Sequence, residues 1–228
     1  MEQRKDADVL LDVLDLAGKR VLDVGCGPGV NVRLMAGAGA KVTGLECGAL
    51  PLAKARETAP VADEDYVEGV GEDMPFEDGT FDIVVFSKSL HHVPMDNLET
   101  ALGECARVLA PGGVVYIAEP LAEGSSYELG RLLDDEKVVR AAALKALKNA
   151  GSIGLTETQE ITYNNVSTRK DFEFFRNAKI LVDADMKDMI LGMEDTLRAE
   201  FDRLGRKTDA GYQFDQPMRI NLLQKPAA

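Results

Sequence analysis

Three glycines at two-residue spacing follow an apolar segment near the start of the chain, and they could hold a ligand against the main chain. The segment reads Val-Leu-Asp-Val-Gly-Cys-Gly-Pro-Gly over residues 21–29. Glycine reaches backbone angles that other residues avoid, and it places no Cβ between the main chain and a ligand. Asp23 lies before the first glycine, at the end of a predicted strand, where open α/β sheets bind ligands. We therefore expect a cofactor here, bound by Asp23 and the turn residues Gly25, Cys26, Gly27 and Gly29.

A second acidic residue, Glu46, lies at the end of the next predicted strand. A carboxylate at that place can accept hydrogen bonds from both hydroxyls of a ribose bound over the glycine turn. Dinucleotide oxidoreductases carry such an acid too, with a G-x-G-x-x-G turn. Here the spacing is G-x-G-x-G, and Val30 stands where a third dinucleotide glycine would lie. Because a pyrophosphate would also be repelled by Asp23, the pattern argues against a dinucleotide.

The elements that must position these residues alternate between strands and helices. A short helix is predicted from Asp8 to Leu16, where apolar residues recur at helical spacing. The strand and helix spacing after it predicts five parallel strands by about residue 118. We expect these strands over 21–24, 41–45, 66–67, 81–86 and 114–118, and helices over 29–38, 50–58 and 96–109. The turn Ala110-Pro-Gly-Gly113 should end the last of these helices.

The pattern changes beyond Pro120, where helices predominate. We expect helices within 126–150 and across 170–204, an alternating segment from Thr156 to Val166, and a last strand from Met218 to Gln224. This helical material exceeds what one sheet needs, so we interpret it as a cap that faces the substrate. The prediction is a single domain with a cofactor-binding core over 1–120. The cap insertions and the last two strands, which complete the same sheet, lie within 121–228.

Composition narrows the classes of partner and compartment. Among 228 residues, 26 Lys plus Arg stand against 39 Asp plus Glu, which gives a net charge of −13. This charge opposes attraction to nucleic acid and anionic lipid, so we expect neither as a partner. Three cysteines without CxxC spacing disfavour disulfides and structural zinc, so we expect reducing cytoplasm and no metal. The first ten residues are too polar for a secretory signal, and no apolar run approaches the roughly 20 residues of a membrane span.

Five segments between about residues 18 and 120 keep a common order and spacing. They are VLDVGCGPG at 21–29, Glu46, MPFEDGTFDIVV at 74–85, LHHV at 90–93 and VLAPGGVVYIAEP at 108–120. In these segments the chain resembles the class I S-adenosylmethionine-dependent methyltransferases, particularly the small-molecule group related to the menaquinone and ubiquinone methyltransferases. The resemblance implies a Rossmann-like, doubly wound α/β fold, with a mostly parallel seven-stranded sheet, an antiparallel last strand and a helical cap. It also implies S-adenosyl-L-methionine as cofactor and a small-molecule methyl acceptor.

The resemblance further implies roles for individual residues around the cofactor. Asp23 would orient its methionine end, and the turn from Gly25 to Gly27 would pass beneath it. Glu46 would hold the ribose, and Cys47 would lie beside the adenine. Ser87 and Lys88, just past the fourth strand, would reach the methionine portion mainly through backbone groups.

At the adenine end the chain departs from the family's pattern. The family usually has Gly-Asp-Ala-Glu before Leu-Pro-Phe, whereas this chain has Gly69-Val-Gly-Glu72 before Met74-Pro-Phe76. The usual adenine-binding Asp is therefore Val70. We expect the backbone N–H of Gly71 to serve the ring instead, with Glu72 or Asp73 supplying the missing acceptor.

The two histidines of the chain, His91 and His92, are adjacent and follow the fourth strand, near where the transferred methyl should lie. Methyl transfer from a sulfonium is an in-line displacement in which the protein mainly aligns the nucleophile and excludes water. A base is needed where the acceptor is protonated at neutral pH, and an imidazole with a pKa near 6.5 can serve. Because adjacent side chains usually point to opposite sides, one histidine would line the pocket while the other packs or caps a helix.

Aromatic residues beyond the core could form the acceptor pocket, although such residues at helical spacing are more often core. We predict Tyr127, Tyr163 and Phe175 as acceptor contacts. Two other functions stay open at this point: methylation of nucleic acid or protein, which the charge disfavours, and a non-catalytic cofactor-binding scaffold, which the unusual Val70 allows. A modified sulfonium cofactor, the acceptor's identity and the oligomeric state also stay open.

Overall fold

The computed structural model describes residues 1–182 and 186–227, with the backbone alone for 181 and 182. Its strands form one sheet, mostly parallel, with antiparallel strands towards the C-terminal end of the chain. The strands are β1 (Arg20–Val24), β2 (Lys41–Glu46), β3 (Glu64–Glu68), β4 (Phe81–Ser87), β5 (Leu109–Pro120), β6 (Thr156–Arg169), β7 (Arg206–Thr208) and β8 (Gly211–Gln224). The predicted Rossmann-like α/β class is confirmed.

The strand order within the described residues is β3-β2-β1-β4-β5-β8-β6, and β7 pairs with β8 beside this path. The path therefore contains the seven predicted strands. The short strand β7, which pairs antiparallel with β8 from Thr208 opposite Gly211, is an addition that sequence analysis missed. Three residues are too few to produce a recognisable alternation of apolar and polar side chains.

The burial of the central strands explains why the apolar pattern of the sequence predicted the first half of the chain well. Between Phe81 and Phe86 five of the six side chains of β4 are buried, as a strand covered on both faces requires. It pairs in parallel with β1 on one side and β5 on the other. This arrangement brings the carboxyl ends of β1, β2, β4 and β5 to one edge of the sheet.

The helices follow the predicted alternation with shifts of a few residues at their ends. They are α1 (Asp6–Val13), α2 (Val30–Gly37), α3 (Ala49–Glu57), α4 (Leu98–Val108), α5 (Ser125–Gly130), α6 (Lys137–Lys148), α7 (Phe172–Val182), α8 (Lys187–Gly192) and α9 (Glu194–Leu204). The part of the predicted helical region over 183–185 lies outside the described residues. Within the described part of the chain, no helix combines the length and the apolar character needed to cross a membrane.

The end of α4 corrects one prediction. The segment Ala110-Pro-Gly-Gly113 does stop the helix, but it belongs to β5 and is not a turn ahead of it. Pro111 has no N–H for the ladder, and Gly112 has a φ of 77°. The pairing with β4 therefore skips from Leu109 to Val114, so that β5 begins five residues earlier than predicted, with a bulge.

The contacts divide the chain into two compact units. The larger unit contains Asp6–Glu119, Val139–Ile161 and Arg219–Ala228, and the smaller contains Met1–Lys5, Pro120–Val138 and Thr162–Met218. In the larger unit an apolar core joins the central strands to α4 and α6. In the smaller unit a separate core of seven buried residues contains four phenylalanines. The predicted division at residue 120 into a core and a cap stays a prediction.

Candidate functional site

The glycine turn lies between β1 and α2, and its backbone explains the glycines. Gly25, Gly27 and Gly29 have φ values of 69°, 55° and 78°, in the left-handed region that other residues rarely adopt. The N–H groups of Gly25 and Cys26 both donate to the carbonyl of Leu45, at 2.8 and 3.1 Å. These two bonds fix the turn against the end of β2.

The three glycines differ in what surrounds them. A Cβ on Gly25 would lie 2.7 Å from the Cβ of Ser89, and a Cβ on Gly29 would overlap the ring of Tyr66. A Cβ on Gly27 would have no heavy atom of the protein within 4 Å. Packing therefore requires the first and third glycines, whereas Gly27 presents bare main chain to open space.

Glu46 holds the turn from the end of β2. Its Oε2 accepts a hydrogen bond from the N–H of Gly27 at 2.8 Å, and its Oε1 accepts one from the N–H of Gly48 at 2.7 Å. The residue is 9% exposed, so both bonds are charge-assisted in a mostly buried setting. Each carboxylate oxygen has a second lone pair, which leaves acceptor capacity for further hydroxyl groups.

Asp23 is the more deeply buried of the two acids, at 2% exposed. Burial raises its pKa to about 7, and the charge of Glu46 acts in the same direction. No donor in the described part of the chain offsets these effects. A carboxylate in this state costs free energy, and a cation bound nearby would offset that cost.

This burial has a testable consequence for the pH dependence of stability. The pKa of Asp23 is about 7 in the folded protein and ordinarily 3.8, so between these values the folded state binds a proton that the unfolded state has released. The contribution of Asp23 to the stability of the wild-type protein should therefore fall as pH rises from about 4 to 7 and level off above that. Asp23→Asn stays neutral, so its stability relative to wild type should grow over this window by up to about 4 kcal/mol. Urea unfolding of both proteins in steps across the window measures this, and a difference that does not change with pH would contradict it.

The two cysteines predicted near the cofactor have different surroundings. Cys26 is buried, and its Sγ lies 2.7 Å from where a Cβ on Gly44 would be, so it fills the space beside that glycine. Burial raises its pKa to about 12, which keeps the thiol protonated at neutral pH. Cys47 is exposed as a residue. The partial burial of its thiol group raises its pKa, and the nearby carboxylates of Glu46 and Glu72 act in the same direction.

The segment after β3 makes a tight turn against the same edge. The N–H of Gly69 donates to the carbonyl of Glu46 at 3.2 Å, and Val70 and Asp73 form a bridge across the turn. Gly71 is buried, and its missing Cβ would lie 3.2 Å from Val24 at the end of β1. The segment that departs from the family's pattern thus lies against the ends of β1 and β2, and Val70 is exposed.

The two acidic residues of this segment, Glu72 and Asp73, differ in their burial and hydrogen bonding. Glu72 is half-buried, and its Oε1 accepts a hydrogen bond from the amide of Asn97 at 3.2 Å. Asp73 is exposed. Their predicted adenine contacts, like that of Gly71, stay predictions.

The end of β4 continues the site on the other side of β1. Ser87 is half-buried, and Lys88 has a φ of 60°, the single positive value at a residue other than glycine in the described chain. The N–H of Lys88 donates to the carbonyl of Ala118 at 2.7 Å, and its Nζ pairs with Asp6 at 2.5 Å. The hydroxyl of Ser89 donates to the carbonyl of Val24 at 2.6 Å, which holds this segment against Gly25.

The histidine pair follows directly in a short 3₁₀ turn, Leu90–His92. His91 is 4% exposed, and its Nδ1 contacts the Oε2 of Glu119, which is 3% exposed at the end of β5. The Oε1 of Glu119 accepts hydrogen bonds from the N–H groups of Leu90 and His91, at 3.0 and 3.4 Å. His92 is exposed, and the two imidazole centroids lie 4.1 Å apart. The two histidines therefore differ in exposure, and which of them lines the pocket stays a prediction.

The three predicted acceptor contacts are all buried in the smaller unit. The hydroxyl of Tyr127 donates to Asp135 at 2.7 Å, and Tyr163 is 1% exposed. Phe175 packs beside Phe172 and Phe201, with ring centroids 6.1 and 5.8 Å away. This aromatic cluster accounts for the burial of Phe175 through packing alone. Contact of these residues with an acceptor stays a prediction.

Comparison with known proteins identifies the family. Residues 22–117 match the family described as "Methyltransferase domain". The chain is 32% identical over 194 residues to the ubiquinone biosynthesis O-methyltransferase of Pseudomonas aeruginosa, with 77% of this chain and 78% of that protein covered. The chain belongs to the class I S-adenosylmethionine-dependent methyltransferases. The enzyme of the same name from Azotobacter vinelandii is similar to this methyltransferase to the same extent, with 32% identity over 194 residues and the same coverage.

Solved structures agree on the fold of this methyltransferase. The YcgJ protein of Bacillus subtilis has a TM-score of 0.69 at 20% identity, covering 97% of this chain and 98% of that one. An S-adenosylmethionine-dependent methyltransferase of Methanosarcina mazei has a TM-score of 0.58 at 15% identity, with 96% and 98% covered. The [4+2]-cyclase SpnF has a TM-score of 0.63 at 20% identity, with 97% and 80% covered. At these identities the likeness concerns the fold alone.

The residues at the glycine turn fit S-adenosylmethionine, the cofactor of the family. Gly27 offers main chain beside open space, which a Cβ would fill. Glu46 retains acceptor capacity next to that opening, as a ribose would require. Asp23 is a buried carboxylate without an offsetting donor in the described residues, which suits a ligand that carries positive charge.

Two residues that hold the site together were not predicted from the sequence. Ser89 ties the end of β4 to β1, and Glu119 holds His91. A signal for Glu119 was available, because it ends the apolar run VVYIAE as Asp23 and Glu46 end theirs. The same rule of strand-end acids would have added it to the site.

Proposed function

We propose that this methyltransferase transfers the methyl group of S-adenosylmethionine to a hydroxyl oxygen of a small molecule, with His91 as the proton acceptor. The observation that carries the proposal is the buried His91, fixed by Glu119 at the sheet edge that holds the glycine turn. The two relatives compared above are O-methyltransferases by name, which supports oxygen as the acceptor atom. The net charge of −13 favours a small acceptor over a nucleic acid.

We assign cofactor binding to the residues around the glycine turn. Gly25, Gly27 and Gly29 would shape the main chain beneath it, Glu46 would accept hydrogen bonds from its ribose, and Asp23 would face its charged methionine end. S-adenosylmethionine supplies a methyl group that is already activated by its bond to a sulfonium. The protein therefore has to bind, orient and exclude water, and to remove the hydroxyl proton.

Of the two histidines, His91 is the better proton acceptor because its position is fixed. A base must be held within hydrogen-bond reach of the proton that it removes. Glu119 orients the ring of His91, which is almost fully buried, whereas the ring of His92 is exposed. Tyr127, Tyr163 and Phe175 remain proposed acceptor contacts.

The proposal is tested by methyl transfer from labelled S-adenosylmethionine to a panel of probes, namely catechol, pyrogallol, ethanolamine and imidazole. We expect methylation of oxygen on the aromatic hydroxyl compounds. His91→Asn should lower kcat by about 10²- to 10⁴-fold, and His92→Asn should change it by less than about threefold. Affinity for S-adenosylmethionine, measured by calorimetry, should be unchanged in both variants. Transfer to nitrogen only, or equal loss in the two variants, would contradict the proposal.

A further inference from the structure

We infer that Arg169 binds a carboxylate, and that the acceptor of this methyltransferase is an aromatic hydroxy acid. The inference rests on the proposed function in taking the bound carboxylate to be part of the methyl acceptor. It goes beyond that function by giving the acceptor a negative charge and by naming the residue that recognises it. Arg169 is the last residue of β6 and lies in the smaller unit.

The guanidinium of Arg169 lacks a counter-charge among the described residues. Its Nη1 is buried and has no hydrogen-bond partner there. Its Nη2 donates to the hydroxyl of Ser126 at 3.3 Å, and a hydroxyl is neutral. Burial lowers the pKa of Arg169 to about 10, and no described carboxylate opposes this effect. At neutral pH the side chain is therefore a cation that the described part of the chain does not neutralise.

Arg198 shows the arrangement that an arginine of the same unit usually adopts. Its Cζ also lies over a phenylalanine ring, that of Phe172, at 4.3 Å from the centroid. In addition it pairs with Glu173 and Glu194, at 2.7 and 3.3 Å. Arg169 has the aromatic contacts without the acids. A buried donor left unpaired by its own chain is a place where a bound ligand would supply the partner.

Two aromatic rings and a hydroxyl hold the guanidinium of Arg169 in place. Its Cζ lies 4.8 Å from the ring centroid of Phe175 and 4.6 Å from that of Phe214. The rings attract the cation, but they do not replace an acceptor for Nη1. The planar fork of N–H groups in a guanidinium matches the two oxygens of a carboxylate. The hydroxyl of Ser126 accepts from Nη2, and its own proton can be donated to the same carboxylate.

The charge at this place fits a carboxylate better than a phosphate. Burial is the cause described for the lowered pKa of Arg169, and no second cation among the described residues contributes to it. A phosphate monoester carries a charge of about −1.5 to −2 at neutral pH, with three acceptor oxygens. A single guanidinium balances the single charge of a carboxylate.

The neighbours of Arg169 connect it to the residues that we propose as acceptor contacts. Its guanidinium lies over the ring of Phe175, which is one of them. Ser126 directly precedes a second, Tyr127, in α5. The third, Tyr163, lies on β6 with Arg169. A carboxylate bound at Arg169 would therefore place the ring of an aromatic acid among these side chains.

Calorimetry of the whole protein with 3,4-dihydroxybenzoate and 3,4-dihydroxybenzamide tests the inference, in the presence of the demethylated product of S-adenosylmethionine. The two probes have nearly the same shape, and only the first carries a negative charge. The wild-type protein should bind the benzoate about 10- to 100-fold more tightly, as a charged hydrogen bond predicts. In Arg169→Met the affinities for the two probes should agree within about threefold.

Arg198→Met is the matched control. It also removes a cation from a phenylalanine ring of the smaller unit, but the charge of Arg198 is already neutralised by two glutamates. The preference for the benzoate should therefore stay within about threefold of the wild-type value. A purely structural role of Arg169 would weaken binding of both probes alike and leave their ratio unchanged.

Circular dichroism and thermal melting check that the variants keep the fold. Arg169→Lys keeps the charge and loses the planar fork, so the preference for the benzoate should fall at least about threefold. This variant replaces Arg169→Met in the test if the methionine variant does not fold.

Three results would overturn the inference: binding of neither probe by the wild-type protein, equal binding of the two, or an undiminished preference in the folded Arg169 variant. Methyl transfer is measured separately with the same two probes. If neither they nor the earlier panel is methylated, the proposed function fails. The difference in affinity between the probes still decides whether Arg169 recognises a carboxylate.

Discussion

Gly27→Val is expected to lower the affinity for S-adenosylmethionine by at least about 100-fold, which corresponds to about 2.7 kcal/mol of binding free energy. A Cβ at Gly27 would meet no protein atom within 4 Å, so the valine side chain would occupy the open space that we assign to the cofactor. Calorimetry with S-adenosylmethionine and with its demethylated product measures the loss.

Gly18→Val is the matched control for this substitution. Gly18 also has a positive φ, 72°, and a Cβ there would likewise meet nothing within 4 Å. It lies ahead of β1, at the opposite end of that strand from the glycine turn. Both variants should therefore lose similar stability from backbone strain, about 1 to 2 kcal/mol. Equal cofactor affinity in the two variants would show that the ligand does not lie against Gly27.

Glu46→Ala is expected to weaken cofactor binding by about 10- to 100-fold and to destabilise the protein by about 2 kcal/mol. The binding loss follows from the missing acceptor for the ribose hydroxyls. The stability loss has a separate cause, because the N–H groups of Gly27 and Gly48 both lose their acceptor. Calorimetry measures the first effect, and urea unfolding without ligand measures the second.

Glu64→Ala is the control that distinguishes the loss of cofactor affinity from the loss of stability. Glu64 also accepts from two backbone N–H groups, those of Val61 and Ala62, each at 2.7 Å, but it lies at the start of β3. Its removal should cost some stability and leave cofactor affinity unchanged. If Glu46→Ala proves no worse for affinity than Glu64→Ala, the assignment of the ribose to Glu46 is wrong.

The fold by itself does not decide what this methyltransferase acts on. The cyclase SpnF shares the fold at a TM-score of 0.63, and its name describes a different reaction. Function must therefore be argued from the site. In this chain the relevant feature is the arrangement of His91, Glu119 and the residues around the glycine turn.

Local patterns predicted most of the architecture because they reflect burial along a single element. The apolar run over 81–86 marked a central strand, and the strand-end acids Asp23 and Glu46 marked the edge of the sheet. The errors occurred where tertiary pairing overrides local preference. The Pro and Gly residues of 110–113 are typical of a turn. In the structure this segment belongs to β5, where a bulge interrupts the pairing with β4.

The spacing of the glycines, with Asp23 before them and Glu46 after them, was enough to predict the cofactor site, since each of these residues is set by one strand and its turn. Only the tertiary structure distinguished Gly27, which faces open space, from Gly25 and Gly29, which are packed against Ser89 and Tyr66. It alone also paired His91 with Glu119, which lies 28 residues further along the chain. Contacts of this kind depend on which strands become neighbours in the sheet. The pattern of apolar residues within one strand or helix does not predict that order.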